Sequence, residues 1–187
     1  MFKLHYPTIC LAAALLGCGG SEDQSSVAIN TKPEDQIAKL NVEGVKNVYR
    51  LSPRIITGGK PDSEAGFAEL QKLGVTTIVS VTDDDPDEET AKKYGLKYVH
   101  VPMDYEGVSV GQQEMILGAF SDASEPVYIH CNSGRNRGAT AAAMCLIGVE
   151  GESNEKAISW MKTRGVDEKN QKLYQAVKDY RPVAKQE

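Results

Sequence analysis

Val127-Tyr128-Ile129-His130-Cys131-Asn132-Ser133-Gly134-Arg135-Asn136-Arg137-Gly138, running on through ATAAAMCLIGV to Val149, is the stretch whose reading decides the fold. Residues 127–130 (VYIH) are β-branched or aromatic and read as a strand. Residues 131–137 are polar around Gly134 and read as a loop. Residues 138–149 (GATAAAMCLIGV) are rich in small residues and read as a helix built for close packing. A cysteine at the carboxyl end of a buried strand faces the crevice where α/β sheets bind ligands. The short loop behind it leads straight into a helix amino terminus, where backbone N–H groups gather around anions.

Working outward, strands and helices alternate. Residues 47–51 (NVYRL) and 54–57 (RIIT) read as short strands around a Ser-Pro turn, and residues 58–61 (GGKP) as a loop. Residues 62–73 read as a helix capped by Asp62 or Ser63, with Phe67, Leu70 and Leu73 on one face and Gly74 as the stop. Residues 75–81 (VTTIVSV) suit a buried strand. Residues 86–94 form a short polar helix closed by Gly95, and residues 97–101 another strand. Helices are expected at 110–123, 154–163 and 168–180. The result is an α/β fold: a central, mainly parallel sheet flanked by helices on both faces. No repeat and no second domain is visible, which places one domain at residues 37–187.

The segment before it is of another kind. Lys3 gives a short basic start and residues 9–16 (ICLAAALL) an apolar run. That run falls short of the roughly 20 residues a bilayer span requires. Residues 1–17 read as a signal peptide. Leu15-Leu16-Gly17-Cys18 resembles the lipobox of bacterial lipoproteins, which implies lipidation of Cys18 after cleavage. Gly19 in place of an aspartate favours the outer membrane under that resemblance. The expected location is the bacterial cell envelope, facing the periplasm, with the membrane as a partner through the lipid. Residues 18–36 then serve as a polar, lipidated tether.

The formal net charge is −5, and removing residues 1–17 with Lys3 makes it −6. That balance disfavours nucleic acid as a partner, since a phosphate backbone calls for a basic face. A small phosphorylated group needs only a local positive site. The four cysteines, Cys10, Cys18, Cys131 and Cys145, show neither a CxxC pair nor a nearby histidine ladder. A zinc site or a disulfide framework is therefore not expected, and neither a metal nor another cofactor is called for.

Chemistry concentrates in residues 130–137. The loop amides of Asn132, Ser133, Gly134, Arg135 and Asn136 can point inward as an anion nest, a field that favours a thiolate at Cys131. Arg137, six residues on, can return to the loop mouth and grip two phosphate oxygens with its planar fork. His130 reads as a structural hydrogen-bonding residue that tunes the thiolate, Arg135 as added charge complementarity or a solvated side chain. His130, Cys131, Gly134 and Arg137 match the HC-x5-R signature, and the chain resembles the cysteine-dependent phosphatases of the tyrosine and dual-specificity superfamily. Residues 47–50 (NVYR), 56–61 (ITGGKP) and the VTTIVSV strand extend the likeness to the bacterial dual-specificity-like branch over roughly residues 45–150.

The resemblance implies hydrolysis of phosphomonoesters, on a protein or a small molecule, through a phosphocysteine intermediate. It implies an aspartate after the preceding strand as general acid, which selects Asp104, with Glu106 as the nearby substitute. The acidic run 83–89 reads as a solvated loop and helix start. Gly138 departs from the family pattern, which places Ser or Thr after the arginine to ease thiolate departure. The departure leaves hydrolysis of the intermediate open, with Thr140 as a substitute hydroxyl. Two rival readings follow: a phosphate-binding protein with little turnover, and a rhodanese-like sulfurtransferase.

Overall fold

A computed structural model describes residues 37–182 except 122 and 124. The expected signal segment, Cys18 and the whole of the tether lie outside the described residues. Twelve elements follow one another: β1(Ala38–Val42), β2(Val45–Arg50), β3(Ile55–Gly59), α1(Glu64–Lys72), β4(Thr77–Ser80), α2(Glu88–Lys93), β5(Lys97–His100), α3(Val110–Gly118), β6(Val127–Cys131), α4(Arg137–Gly148), α5(Asn154–Thr163) and α6(Gln171–Asp179). Six strands make one sheet in the order β1-β2-β3-β6-β4-β5. The pairs β3–β6, β6–β4 and β4–β5 are parallel; β1–β2 and β2–β3 are antiparallel. The sheet is thus mainly parallel, as read from the sequence, with an antiparallel margin.

Side-chain alternation divides the sheet between two cores. Val127, Ile129 and Cys131 of β6 face one cluster with Ile55, Val79 and side chains of α3 to α6. Tyr128 faces the other with Ile56, Ile78, Phe67 and Leu70. Every residue of β3, β4 and β6 is buried, which is why those strands read as nearly continuous apolar runs. Helix α4 is buried along its length from Arg137 to Ile147. Its alanines at 139 and 141–143 let that helix approach β3 and β6 closely.

Two differences from the sequence reading bear on the site. Strand β1 was not anticipated: only Leu40 and Val42 of its five residues are even half-buried, so no inward-facing pattern marks it. It exists because β2 offers it a ladder. Gly58 and Gly59, expected in a loop, instead end β3 and pair with His130 and Cys131. A Cβ on Gly58 would lie 2.5 Å from the Tyr128 hydroxyl. The glycine makes room for a phenol that is fully buried and donates to Gly59 O at 2.6 Å. At the ends, α3 and α6 are shorter than expected. Helix α6 starts at Gln171 because the 167–170 turn precedes it.

Removing the hydroxyl of Tyr128 leaves the buried Gly59 carbonyl short of its donor. Tyr128→Phe should cost about 1–2 kcal/mol. Urea melts followed by circular dichroism test this, and an unchanged midpoint would show that the hydroxyl is not needed.

Candidate active site

Residues 131–137 join β6 to α4, and their backbone is held from outside. Asn132 O accepts from Lys60 N at 3.2 Å and Asn136 O from Thr140 N at 2.9 Å. Ser133 O accepts from Asn47 Nδ2 at 2.8 Å, and Gly134 O from Arg164 Nη2 at 3.0 Å. Among the described residues, no loop amide from Asn132 to Asn136 donates to another protein group. In a trans peptide the C=O and the following N–H point opposite ways. Turning the carbonyls of Asn132, Ser133 and Gly134 outward therefore turns the N–H groups of Ser133, Gly134 and Arg135 inward. The loop is a cradle of unspent donors at the mouth of a twelve-residue helix, with the Cys131 thiol free at its base.

Gly134 is required twice. Its φ is +69°, and a Cβ there would lie 2.3 Å from Gly58 C. The loop can rest on the end of β3 only because glycines meet at the contact.

Arg137 is buried, and its guanidinium is partly committed. Nη1 donates to Asp83 Oδ1 at 2.6 Å and to Met103 O at 2.9 Å. Nε is buried with no partner among the described residues. Tyr105 lies 5.3 Å from the guanidinium carbon, ring facing it, and is itself exposed. The Asp83 carboxyl is held below its usual range, first by the Arg137 hydrogen bond, then by its own backbone and the arginine's charge. A lowered carboxyl keeps its partner above the ordinary carboxylate range and loses it only as pH falls through the lowered value. At neutral pH the pair is intact.

Asp104 sits in the loop after β5 and is exposed. Its Oδ1 accepts from Glu106 N at 2.7 Å, an Asx turn that sets the side chain. The Met103 carbonyl on Arg137 brings this loop to the cradle. Glu106, the substitute acid, pairs with Lys172 of α6 instead. His130 is buried between Tyr128, stacked at 5.9 Å, and Tyr98, edge-on at 6.2 Å. Burial pushes it down to about 4, against a smaller opposing pull from the Cys131 backbone. It is neutral and shielded from water. Cys145 is wholly buried in α4, and burial pushes its thiol up, as suits a core residue.

The departure at residue 138 has a packing reason. A Cβ on Gly138 would lie 2.9 Å from Cys131 N and 3.4 Å from Sγ, so a serine there would require the backbone to shift. Gly138→Ser is therefore no simple restoration of a hydroxyl. Thr140 donates its hydroxyl to Asn136 O at 3.1 Å and is not turned to the thiol.

Three contributors escaped the sequence reading. Asp83, counted with a solvated acidic run, grips Arg137. Asn47 and Arg164 hold the loop from β2 and from the end of α5. Arg164 also lies 3.8 Å over the Tyr49 ring. Asn47 has a positive φ of 57°, a conformation for which asparagine is well suited. The NVYR segment carried a signal for two of these partners, Asn47 and Tyr49. Nothing in the sequence marked Arg164 or Asp83. No group of three or more His, Cys, Asp or Glu among the described residues is placed to hold a metal ion.

Residues 47–186 match the family described as PTP-SAK, the Swiss Army Knife protein DSP-PTPase phosphatase domain. The dual specificity protein phosphatase TpbA of Pseudomonas aeruginosa strain UCBPP-PA14 is 30% identical over 157 residues, 83% of this chain and 71% of that protein. A crystal structure of P. aeruginosa TpbA, a cysteine-to-serine variant in complex with pTyr, superimposes with a TM-score of 0.65 at 25% identity, covering 80% of this chain and 92% of that one. PTPMT1 has the same fold, with a TM-score of 0.60 at 20% identity over 71% of this chain and 92% of its own. The chain belongs to the DSP-PTPase family and is a cysteine-dependent phosphatase.

Proposed function

We propose that the chain hydrolyses phosphomonoesters through a phosphocysteine formed on Cys131, at the surface of a bacterial envelope membrane. The observation that carries the chemistry is the cradle of inward-facing amides above the thiol. A phosphoryl group seated there meets the N–H donors of Ser133, Gly134 and Arg135 and the uncommitted edge of Arg137. The Cys131 thiolate attacks phosphorus while the bond to the ester oxygen breaks, and Asp104 gives that oxygen its proton. Water then attacks the phosphocysteine, Asp104 takes the water's proton, and the S–P bond breaks to restore the thiolate and release inorganic phosphate. Neutral, buried His130 serves as support for β6 and takes no proton. Asp83 orients the clamp. Phosphotyrosine, bound by the TpbA variant, belongs among the substrates on this reading.

Cys131→Ser should reduce turnover of p-nitrophenyl phosphate by roughly a thousandfold or more, since the hydroxyl is not ionised. Retained turnover in a folded variant would place the nucleophile elsewhere.

Asp104→Asn and Asp83→Asn should fail in different ways. The first should lose about a hundredfold on alkyl phosphates and far less on nitrophenyl phosphate, which leaves without help. The second should lose roughly threefold on both, because an exposed carboxylate contributes little beyond orientation. Steady-state kinetics on the two esters separate the roles, and an even loss in Asp104→Asn would remove it as the acid.

The membrane part rests on residues 1–36, with cleavage before Cys18 and acylation of its sulfur as the anchor. Several acyl chains on one cysteine hold a protein stably, where one is marginal. Cys18→Ser should move the protein from the membrane pellet to the soluble fraction or stop its processing. Labelling with a radioactive fatty acid decides between anchors, and no incorporation in wild type would rule the lipid out.

A further inference from the structure

The hairpin of β1 and β2 leaves an open cavity of about 640 Å³ beside the cradle, and Arg135 and Asn47 belong to both. Its other polar walls include Lys39, Lys46 and Glu43. Three cations and one carboxylate give it a local positive balance in a chain of net charge −5. Lys39, Lys46 and Arg135 are exposed, and none has a carboxylate partner among the described residues. Lys60, one strand over, is by contrast neutralised by Asp87 at 2.9 Å.

Position relates the cavity to the chemistry. Gly59 pairs with Cys131 across β3 and β6. A Cβ on Gly59 would lie 3.6 Å from Lys46 Cβ, so Lys46 is its immediate neighbour on β2. Two strand spacings, about 10 Å, separate the Lys46 backbone from that of Cys131, and a lysine side chain shortens the gap. Asn47 fixes the wall between them, because its side chain grips the loop at Ser133 O. The two sites are therefore held in a set relation.

We propose that Lys39, Lys46 and Arg135 form an anion subsite for a second phosphate on the substrate, so that the preferred substrate class is a bisphosphorylated small molecule or headgroup. The proposal rests on the phosphatase reading above. One phosphate occupies the cradle and is hydrolysed, while the second lies against the hairpin and leaves unchanged. The chemistry is shared by soluble bisphosphates and by lipid headgroups in a bilayer.

The test compares wild type with the double variant Lys39→Gln/Lys46→Gln, both outside the catalytic machinery. Phosphate release is measured from fructose 1,6-bisphosphate against fructose 1-phosphate. It is also measured from vesicles carrying phosphatidylinositol 4,5-bisphosphate against those carrying phosphatidylinositol 4-phosphate, with p-nitrophenyl phosphate as the reference. Wild type should favour the bisphosphate of at least one pair by about tenfold in kcat/KM, carried by KM, as two exposed charge contacts allow. The double variant should lose that preference and keep its reference activity. The pair that shows the effect identifies the source, soluble or membrane. No preference in either pair, or one that survives the substitutions, overturns the subsite while nitrophenyl phosphate hydrolysis continues. Loss of nitrophenyl phosphate hydrolysis in wild type would instead strike the phosphatase reading itself.

Discussion

A peptide loop can offer several N–H groups to one anion only if its carbonyls are kept from turning inward to meet them. Here that constraint is met from outside: Lys60 N, Asn47, Arg164 and Thr140 each take a carbonyl of the loop. They come from the end of β3, from β2, from the end of α5 and from α4, so the cradle is a meeting point of four elements. Held in this way, the loop has little freedom to relax around a single donor. Gly134 against Gly58 and Gly59 permits the approach, and the hydroxyl of Tyr128 fills the room that Gly58 leaves.

Arg137 adds a second dependence. Its Nη1 bridges the loop after β4, through Asp83, to the loop after β5, through Met103. Two connections that share no strand are thereby referred to one guanidinium. The candidate acid next to Met103 is positioned by the same group that would bind the phosphoryl oxygens. Lys172 of α6 meets the same loop from its other side in an exposed ion pair with Glu106, which adds little to the hold that Arg137 provides.

Much of this was legible because the decisive elements are buried on both faces. The runs VYIH and VTTIVSV could be read without knowing their neighbours, and the spacing from Cys131 to Arg137 is a local property of one loop. The illegible parts depend on contacts across the fold. Strand β1 has almost no inward face of its own and owes its conformation to β2. Gly58 and Gly59 look like loop residues because glycine is what a close approach and a turn both demand. Asp83 stands in a run of acids, and nothing in that run distinguishes the one that meets an arginine 54 residues away. Arg164 ends an ordinary amphipathic helix, and its role appears only once that end lies against Tyr49 and Gly134.

The antiparallel margin has a consequence for solubility. An outer strand exposes a ladder of unpaired N–H and C=O groups that can recruit another chain. In β1 the register shifts between Leu40 and Val42, which breaks the regular spacing a docking strand would need. Lys39 is exposed on it, and a recruited strand would have to pass that charge. The opposite margin, β5, is only four residues long and begins with exposed Lys97. Among the described residues, both borders of the sheet thus discourage edge-to-edge aggregation.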